Sequence, residues 1–329
     1  MTDALQPLLL AEALMDRGSY LSGIYTKEMK EVAVDLKKRE EIPVRRADKT
    51  AAFVLISTLE YFEKLAAILS NVSKFERLTK NPTEEIKHNA NRVITAVNAA
   101  TNATHLPPIQ GDYSLGYLYR NEKTHKEGNP ICQIISQTPA PTYALAKRLN
   151  KILTPYIPSR YCLTSSVEFL EKIRDSSGAG TMVSLDVESL FTNMYCVAMG
   201  SPLGVLFANF YMGETEERVF SQHRCPRTYG RYIDDIFVQA DCEDEVEALW
   251  QQFLQHSALN FTVEYSSDDR LPFLDVLVTK TNQKLVTTVY TKATNLGLCL
   301  NGDSECPAWF KTTTVRAFVR RALSHCSTW

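Results

Sequence analysis

Tyr232-Ile233-Asp234-Asp235-Ile236-Phe237-Val238 sets two adjacent carboxylates between two apolar runs of β-type residues. Apolar runs flanking a short polar break read as paired strands, and Asp tolerates tight-turn backbone. The stretch Thr228–Ala240 therefore predicts a hairpin with its acids at the tip. A lone Asp-Asp turn is ordinary surface, so its meaning depends on the chain around it.

Working upstream, Val183-Ser184-Leu185-Asp186-Val187-Glu188-Ser189-Leu190-Phe191 carries an acid inside an apolar strand, read over Thr181–Leu190. Burying such an acid costs on the order of several kcal/mol unless it is paired or metal-bound. Asp186, Asp234 and Asp235 together form an oxygen-rich donor set suited to Mg²⁺ or Mn²⁺. Two ions about 3.5–4 Å apart would activate a hydroxyl and stabilise a leaving oxygen in phosphoryl transfer. Glu188, two residues beyond Asp186, shares its face if the strand is regular.

Between these acids lies Ala198-Met199-Gly200-Ser201-Pro202-Leu203-Gly204. Ser201 reads as the N-cap and Pro202 as the first residue of a helix over Pro202–Phe220, with Gly200 supplying backbone that other residues do not adopt. Small side chains and bare N–H groups there admit a flat base or a phosphate.

The remaining chain supplies an α+β frame. Lys27–Glu41 reads as a charged surface helix or arm, and Ile42–Asp48 and Ala52–Ser57 as short β runs. Leu59–Ser70, Thr83–Ala100, Pro141–Pro155, Ser165–Arg174 and Glu243–His256 carry helical spacing. Ser57 or Thr58 marks the first start, and Asn81-Pro82-Thr83 with Glu84 and Glu85 the second. Leu106 opens a loop-rich segment leading to the apolar run Ile131–Ser136; Phe261–Glu264, Phe273–Thr279 and Leu285–Tyr290 read as strands of an antiparallel sheet. The acidic run Asp241–Glu247 is a solvated helix start.

Composition bounds the rest. The 329 residues hold 36 Lys+Arg against 38 Asp+Glu, with 44% hydrophobic and 22% charged residues, which excludes a predominantly disordered chain. No apolar run reaches the length of a membrane span, and no signal peptide is read, so no membrane partner is expected. Eight cysteines without C-x-x-C spacing fit an intracellular protein, nuclear or cytoplasmic, and not a disulfide scaffold. A net charge of −2 leaves nucleic-acid attraction to local patches. Residues 113–160 hold Arg120, Lys123, Lys126, Lys147, Arg148, Lys151 and Arg160 against Glu122 and Glu127, and residues 307–329 hold four basic residues and no acid.

The order of the motifs, with Asp186 on a strand, Gly-Ser-Pro-Leu-Gly before a helix and Tyr-Ile-Asp-Asp on a hairpin, resembles motifs A, B and C of reverse transcriptases. Arg46-Ala47-Asp48-Lys49, Gly116-Tyr117-Leu118-Tyr119, Lys123-Thr124-His125-Lys126, Ile134-Ile135-Ser136, Pro141-Thr142-Tyr143-Ala144-Leu145-Ala146-Lys147 and Leu271-Pro272-Phe273-Leu274-Asp275 extend the likeness to the reverse transcriptase of Penelope-like retroelements, from about Ile42 onward. That resemblance implies RNA-directed DNA synthesis onto a primer 3′-hydroxyl, with RNA template, DNA primer and dNTP as partners and Mg²⁺ or Mn²⁺ as cofactor. It makes Asp186, Asp234 and Asp235 the catalytic carboxylates and metal ligands. Phe191 would lie under the incoming sugar, Lys123 and Lys126 near phosphates, and Gly200, Ser201 and Pro202 along the nucleotide. Leu271, Pro272, Phe273 and Leu274 would support the primer end.

The implied architecture is an α+β right-hand polymerase of fingers and palm. Residues 1–41 form a helical extension, 42–180 the fingers-like region, 181–280 the palm and 281–329 the start of a truncated thumb, with the basic stretch Lys311–Arg321 against the duplex. The chain departs from the family pattern at two further places. Only Met194–Val197 separate motifs A and B, which identifies an internally deleted copy, and Cys132 and Gln133 stand where the family has Arg and Pro. The alternative function is a catalytically inactive remnant that binds nucleic acid through its basic patches.

Overall fold

The computed structural model of the chain describes residues 34–35, 38, 44–46, 53–72, 75–101, 105–122, 131–188, 190, 200–292 and 306–327. Strands β1 (Val44–Arg46) and β2 (Phe53–Leu55) pair antiparallel with Val44 opposite Leu55, inside the two β runs read from sequence. Helix α1 (Thr58–Leu69) starts on Ser57, whose Oγ accepts from the Glu60 N–H at 3.1 Å. Helix α2 (Thr83–Ala100) has the bounds its sequence signals predict. There the Asn81 side chain accepts from the Thr83 N–H at 3.0 Å, satisfying a donor that Pro82 cannot serve. Strands β3 (Tyr117–Glu122) and β4 (Ile131–Ser136) form a two-stranded sheet. Helices α3 (Tyr143–Leu153) and α4 (Ser166–Ile173) follow.

Then come β5 (Thr181–Glu188), α5 (Gly204–Gln222), β6 (Thr228–Tyr232), β7 (Asp235–Ala240), α6 (Glu243–His256) and β8 (Asn260–Tyr265). Strands β9 (Arg270–Phe273), β10 (Val276–Lys280) and β11 (Leu285–Val289) precede the last helix, α7 (Ala308–His325). The elements fall into two compact units. One holds β1, β2 and α1, the other α2 to α6 and β5 to β11, while β3, β4 and α7 have residues in both. Among the described residues, no helix is long and apolar enough to cross a membrane.

The larger unit is built on a four-stranded antiparallel sheet in the order β6-β7-β5-β8. Side chains alternate between its faces. Val183, Leu185 and Val187 of β5 and Ile236, Val238 and Ala240 of β7 point to one face. They pack with Ala208, Met212 and Val219 of α5 and with Val246, Leu249 and Phe253 of α6. Met182 and Phe237 point to the other face, where Phe169 and Ile173 of α4 and the three-stranded sheet β11-β10-β9 cover them. The Phe169 ring centroid lies 5.0 Å from that of Phe237 and 4.7 Å from that of Phe273, so this layer is a buried aromatic cluster. Cover on this second face ends along β5, where Asp186 and Glu188 are exposed.

Three local readings change. The single strand read over Phe273–Thr279 is broken at Leu274–Asp275, a tight turn that pairs Phe273 with Val276. Leu274 takes φ 56°, backbone that an apolar residue signals poorly. Helix α5 begins at Gly204, not at Pro202; Ser201 and Pro202 lie in the preceding turn, where the Ser201 carbonyl accepts from the Gly204 N–H at 3.0 Å. Finally, the positive φ at the hairpin tip belongs to Ile233, at 59°, and not to either Asp.

Candidate active site

The register of the central sheet brings the strand acids together. Asp186 of β5 stands directly opposite Asp235 of β7, and the β6–β7 hairpin closes through Ile233 and Asp234, with Tyr232 paired to Asp235. Directly opposed residues in an antiparallel pair share a face. Asp186 and Asp235 thus lie on the same face as Phe237, at the end where that face opens to solvent. The Val187 N–H donates to the Asp234 carbonyl at 3.1 Å, which fixes the turn against β5. Glu188 is two residues beyond Asp186, so this end of the central strands carries carboxylates from two strands and a turn. Like charges placed opposite one another are unfavourable unless a cation or a protonated partner offsets them.

Hard carboxylate oxygens suit Mg²⁺ or Mn²⁺. Among the described residues, Asp186, Asp234 and Asp235 included, no three His, Cys, Asp or Glu side chains lie close enough together to hold a metal ion. The opposed pair Asp186 and Asp235 still fits an ion of this kind, because Mg²⁺ is commonly bound by one or two carboxylates, with water and substrate phosphates completing its shell.

Gly200 takes φ 106°, the left-handed region that only glycine enters freely, as its place before the helix predicts. The following turn is tied down: the Ser201 Oγ accepts from the Leu203 N–H at 3.3 Å, and the Asn150 amide of α3 donates to the Pro202 carbonyl. Leu271 and Phe273 are buried in the aromatic layer, while Pro272 and Leu274 are only partly covered. Pro272 lies on β9, an edge strand, where its missing N–H costs no ladder bond. Lys123, Lys126 and Phe191, the Met194–Val197 link and residues 1–33 lie outside the described residues.

Some of the basic residues are structural. Arg148 donates to the His105 carbonyl at 2.7 Å, and Arg321 donates to the Tyr290 carbonyl at 2.9 Å while pairing with Asp275 at 3.4 Å.

Sequence reasoning gives no role to one fully buried polar group beside the site. Arg231, immediately before Tyr232, is fully buried and grips both oxygens of Glu216 from α5, through Nε at 2.7 Å and Nη2 at 3.2 Å. Its Nη1 donates to Asn209 Oδ1 at 2.8 Å and to the Ile233 carbonyl at 3.0 Å. The Tyr229 hydroxyl completes the network by donating to Glu216 at 2.8 Å. Burial, followed by the Glu216 charge, pushes the Tyr229 hydroxyl far above its ordinary range, so it remains a donor. Burial also raises the nearby Cys162 thiol, whose Sγ donates to Asn209, and the Arg231 charge only partly offsets this. The signal that could have found the network is Glu216 itself, which breaks the apolar stripe Ala208, Met212, Val219 of α5 with a charge that needs a partner.

No protein-family model matches the chain. No curated protein matches it. Among solved structures, telomerase from Candida albicans in complex with a TWJ fragment of telomeric RNA is similar at 10% identity, with a TM-score of 0.48, over 80% of this chain and 58% of that one. The chain therefore spans a little over half the length of that solved chain.

Proposed function

We propose that the chain carries the palm of an RNA-directed DNA polymerase, of the kind its motifs share with Penelope-like retroelements, with RNA template, DNA primer and dNTP as its ligands. The observation that carries this reading is the register that sets Asp186 opposite Asp235, with Asp234 in the adjoining turn. In nucleotidyl transfer, the primer 3′-oxygen forms a bond to the α-phosphorus of the dNTP, the bond to the pyrophosphate oxygen breaks, and the hydroxyl proton leaves to solvent. Mg²⁺ held by Asp186, Asp234 and Asp235 would supply the charge that makes that hydroxyl acidic and the leaving oxygens stable. The chain's own groups position the reactants. The open sheet face offers the carboxylates to solvent, and the Gly200–Pro202 turn offers small side chains beside a helix start.

A second reading, a catalytically silent remnant that binds nucleic acid, is favoured by the short Met194–Val197 link and by Cys132 where a guanidinium would clamp phosphate. Primer extension on an RNA template separates the two. Polymerase function predicts extension, slow because misplacement by about 1 Å costs on the order of a hundredfold, and its abolition by Asp234→Asn. The remnant predicts no extension, with RNA binding that weakens steeply with salt.

A further inference from the structure

Arg231 neither faces solvent nor belongs to the carboxylate set, yet one of its nitrogens bonds the backbone of the turn that carries Asp234. We propose that Arg231, gripped by Glu216 and Asn209, is the positioning residue that holds Ile233 in its positive-φ conformation and thereby sets Asp234 beside Asp186. The consequence for catalysis rests on the polymerase reading; the conformation of the turn does not.

The geometry supports this from both sides of the turn. Ile233 is β-branched, and φ 59° is a genuine outlier for such a residue, held only where surrounding bonds over-determine it. Two bonds do so: Arg231 Nη1 to the Ile233 carbonyl at 3.0 Å, and the Val187 N–H to the Asp234 carbonyl at 3.1 Å. The first ties the turn to α5 and the second to β5. The planar fork of the guanidinium is essential. With Nε and Nη2 committed to the two Glu216 oxygens, Nη1 is aimed at Asn209 and the turn at once. A lysine ammonium has no such fork. Glu216 is 0% exposed, so the pair is shielded from solvent and its geometry is insensitive to surface events.

The test replaces the whole network at once. Arg231→Met, Glu216→Leu and Tyr229→Phe together remove the pair and its hydroxyl without orphaning a buried charge, a change that cores commonly tolerate. Isoleucine-labelled protein reports the Ile233 backbone through its Cα and Cβ shifts, and titration with Mn²⁺ alone reports the carboxylates. We expect the triple variant to melt cooperatively, the Ile233 shifts to leave their positive-φ values, and Mn²⁺ affinity to fall about 10- to 100-fold, the usual loss when a ligand's supporting shell is removed. Adding Ile233→Gly should restore the affinity, because glycine adopts positive φ without support. Should the triple variant fail to fold, Arg231→Lys keeps the charge, loses the fork and should displace the same Ile233 shifts. Unchanged Ile233 shifts in the folded triple variant or in Arg231→Lys, or failure of glycine to restore Mn²⁺ affinity, would overturn the proposal. Displaced Ile233 shifts in a protein whose wild type binds no Mn²⁺ would uphold the positioning role and sink the polymerase reading.

Discussion

Glu216 and Arg231 meet as a fully buried ion pair, with Asn209 and the Tyr229 hydroxyl as its further partners, and neither charge can be removed alone without stranding the other. Arg231→Ala should cost about 3–5 kcal/mol, because it leaves a carboxylate buried and unpaired; urea unfolding measures this directly. Asp275 behaves differently because it is only partly covered. It accepts from Ser166, pairs with His325 at 2.9 Å and lies 3.4 Å from Arg321. Burial alone would raise its carboxyl, but the Ser166 hydrogen bond, then the His325 charge and hydrogen bond, and then Arg321 outweigh it and hold the group below its ordinary 3.8. A depressed folded value means the unfolded chain binds the proton first. The stabilisation is thus present above the ordinary carboxylate value and is lost as pH falls through the folded one. The melting temperature of the wild type should therefore drop toward that of Asp275→Asn below about pH 4, and stay above it near neutrality. Equal melting temperatures at both pH values would show that the contact contributes nothing.

At the scale of elements, the sequence was most legible where start signals are chemical. Thr83–Ala100 and Glu243–His256 have the bounds that acidic first turns and the preceding break predict. Legibility failed where a turn is made by apolar residues. Phe273–Thr279 reads as one continuous strand, because nothing in Leu274 announces φ 56°. Ile233 is the same case, and there the explanation is tertiary, since the turn is held by Arg231 and β5 and not by its own propensity. Ser201 differs from its N-cap signal for a related reason: Ser-Pro is also a turn-forming pair, and here the turn absorbs both residues before α5 starts. Glycine placement gives a prediction at this scale. Gly180, just before β5, has φ 89°, and a Cβ there would lie 2.1 Å from the Ala240 carbonyl oxygen at the end of β7. Gly180→Ala should destabilise the chain by more than about 1 kcal/mol, read as a lower urea midpoint. An unchanged midpoint would mean that the β5–β7 end relaxes freely.

For the molecule as a whole, a strand acid and hairpin acids some fifty residues apart in sequence meet at one end of the central strands of a single sheet. Only the pairing register joins Asp186 to Asp235, and register is set by the hydrophobic alternation of β5 and β7 against two cores. The acids were legible because carboxylates in apolar strands demand a reason. The Arg231 network was not, because an arginine in a short strand reads as solvated until its partner on α5 is known. The basic patches divide in the same way: Arg148 and Arg321 serve the fold, so Lys147, Lys151, Arg316 and Arg320, from the rest of the two patches, are residues to neutralise together when salt-dependent RNA binding is measured. If Asp186, Asp234 and Asp235 hold one cation, as proposed above, substoichiometric Mn²⁺ should broaden the backbone amide signals around them. Broadening centred on residues 186 and 233–235, and removed by Asp186→Asn with Asp234→Asn, is the expected result; broadening centred instead on the acidic start of α6 or on Asp268–Asp269, and untouched by that double variant, would contradict a cation site at these three aspartates.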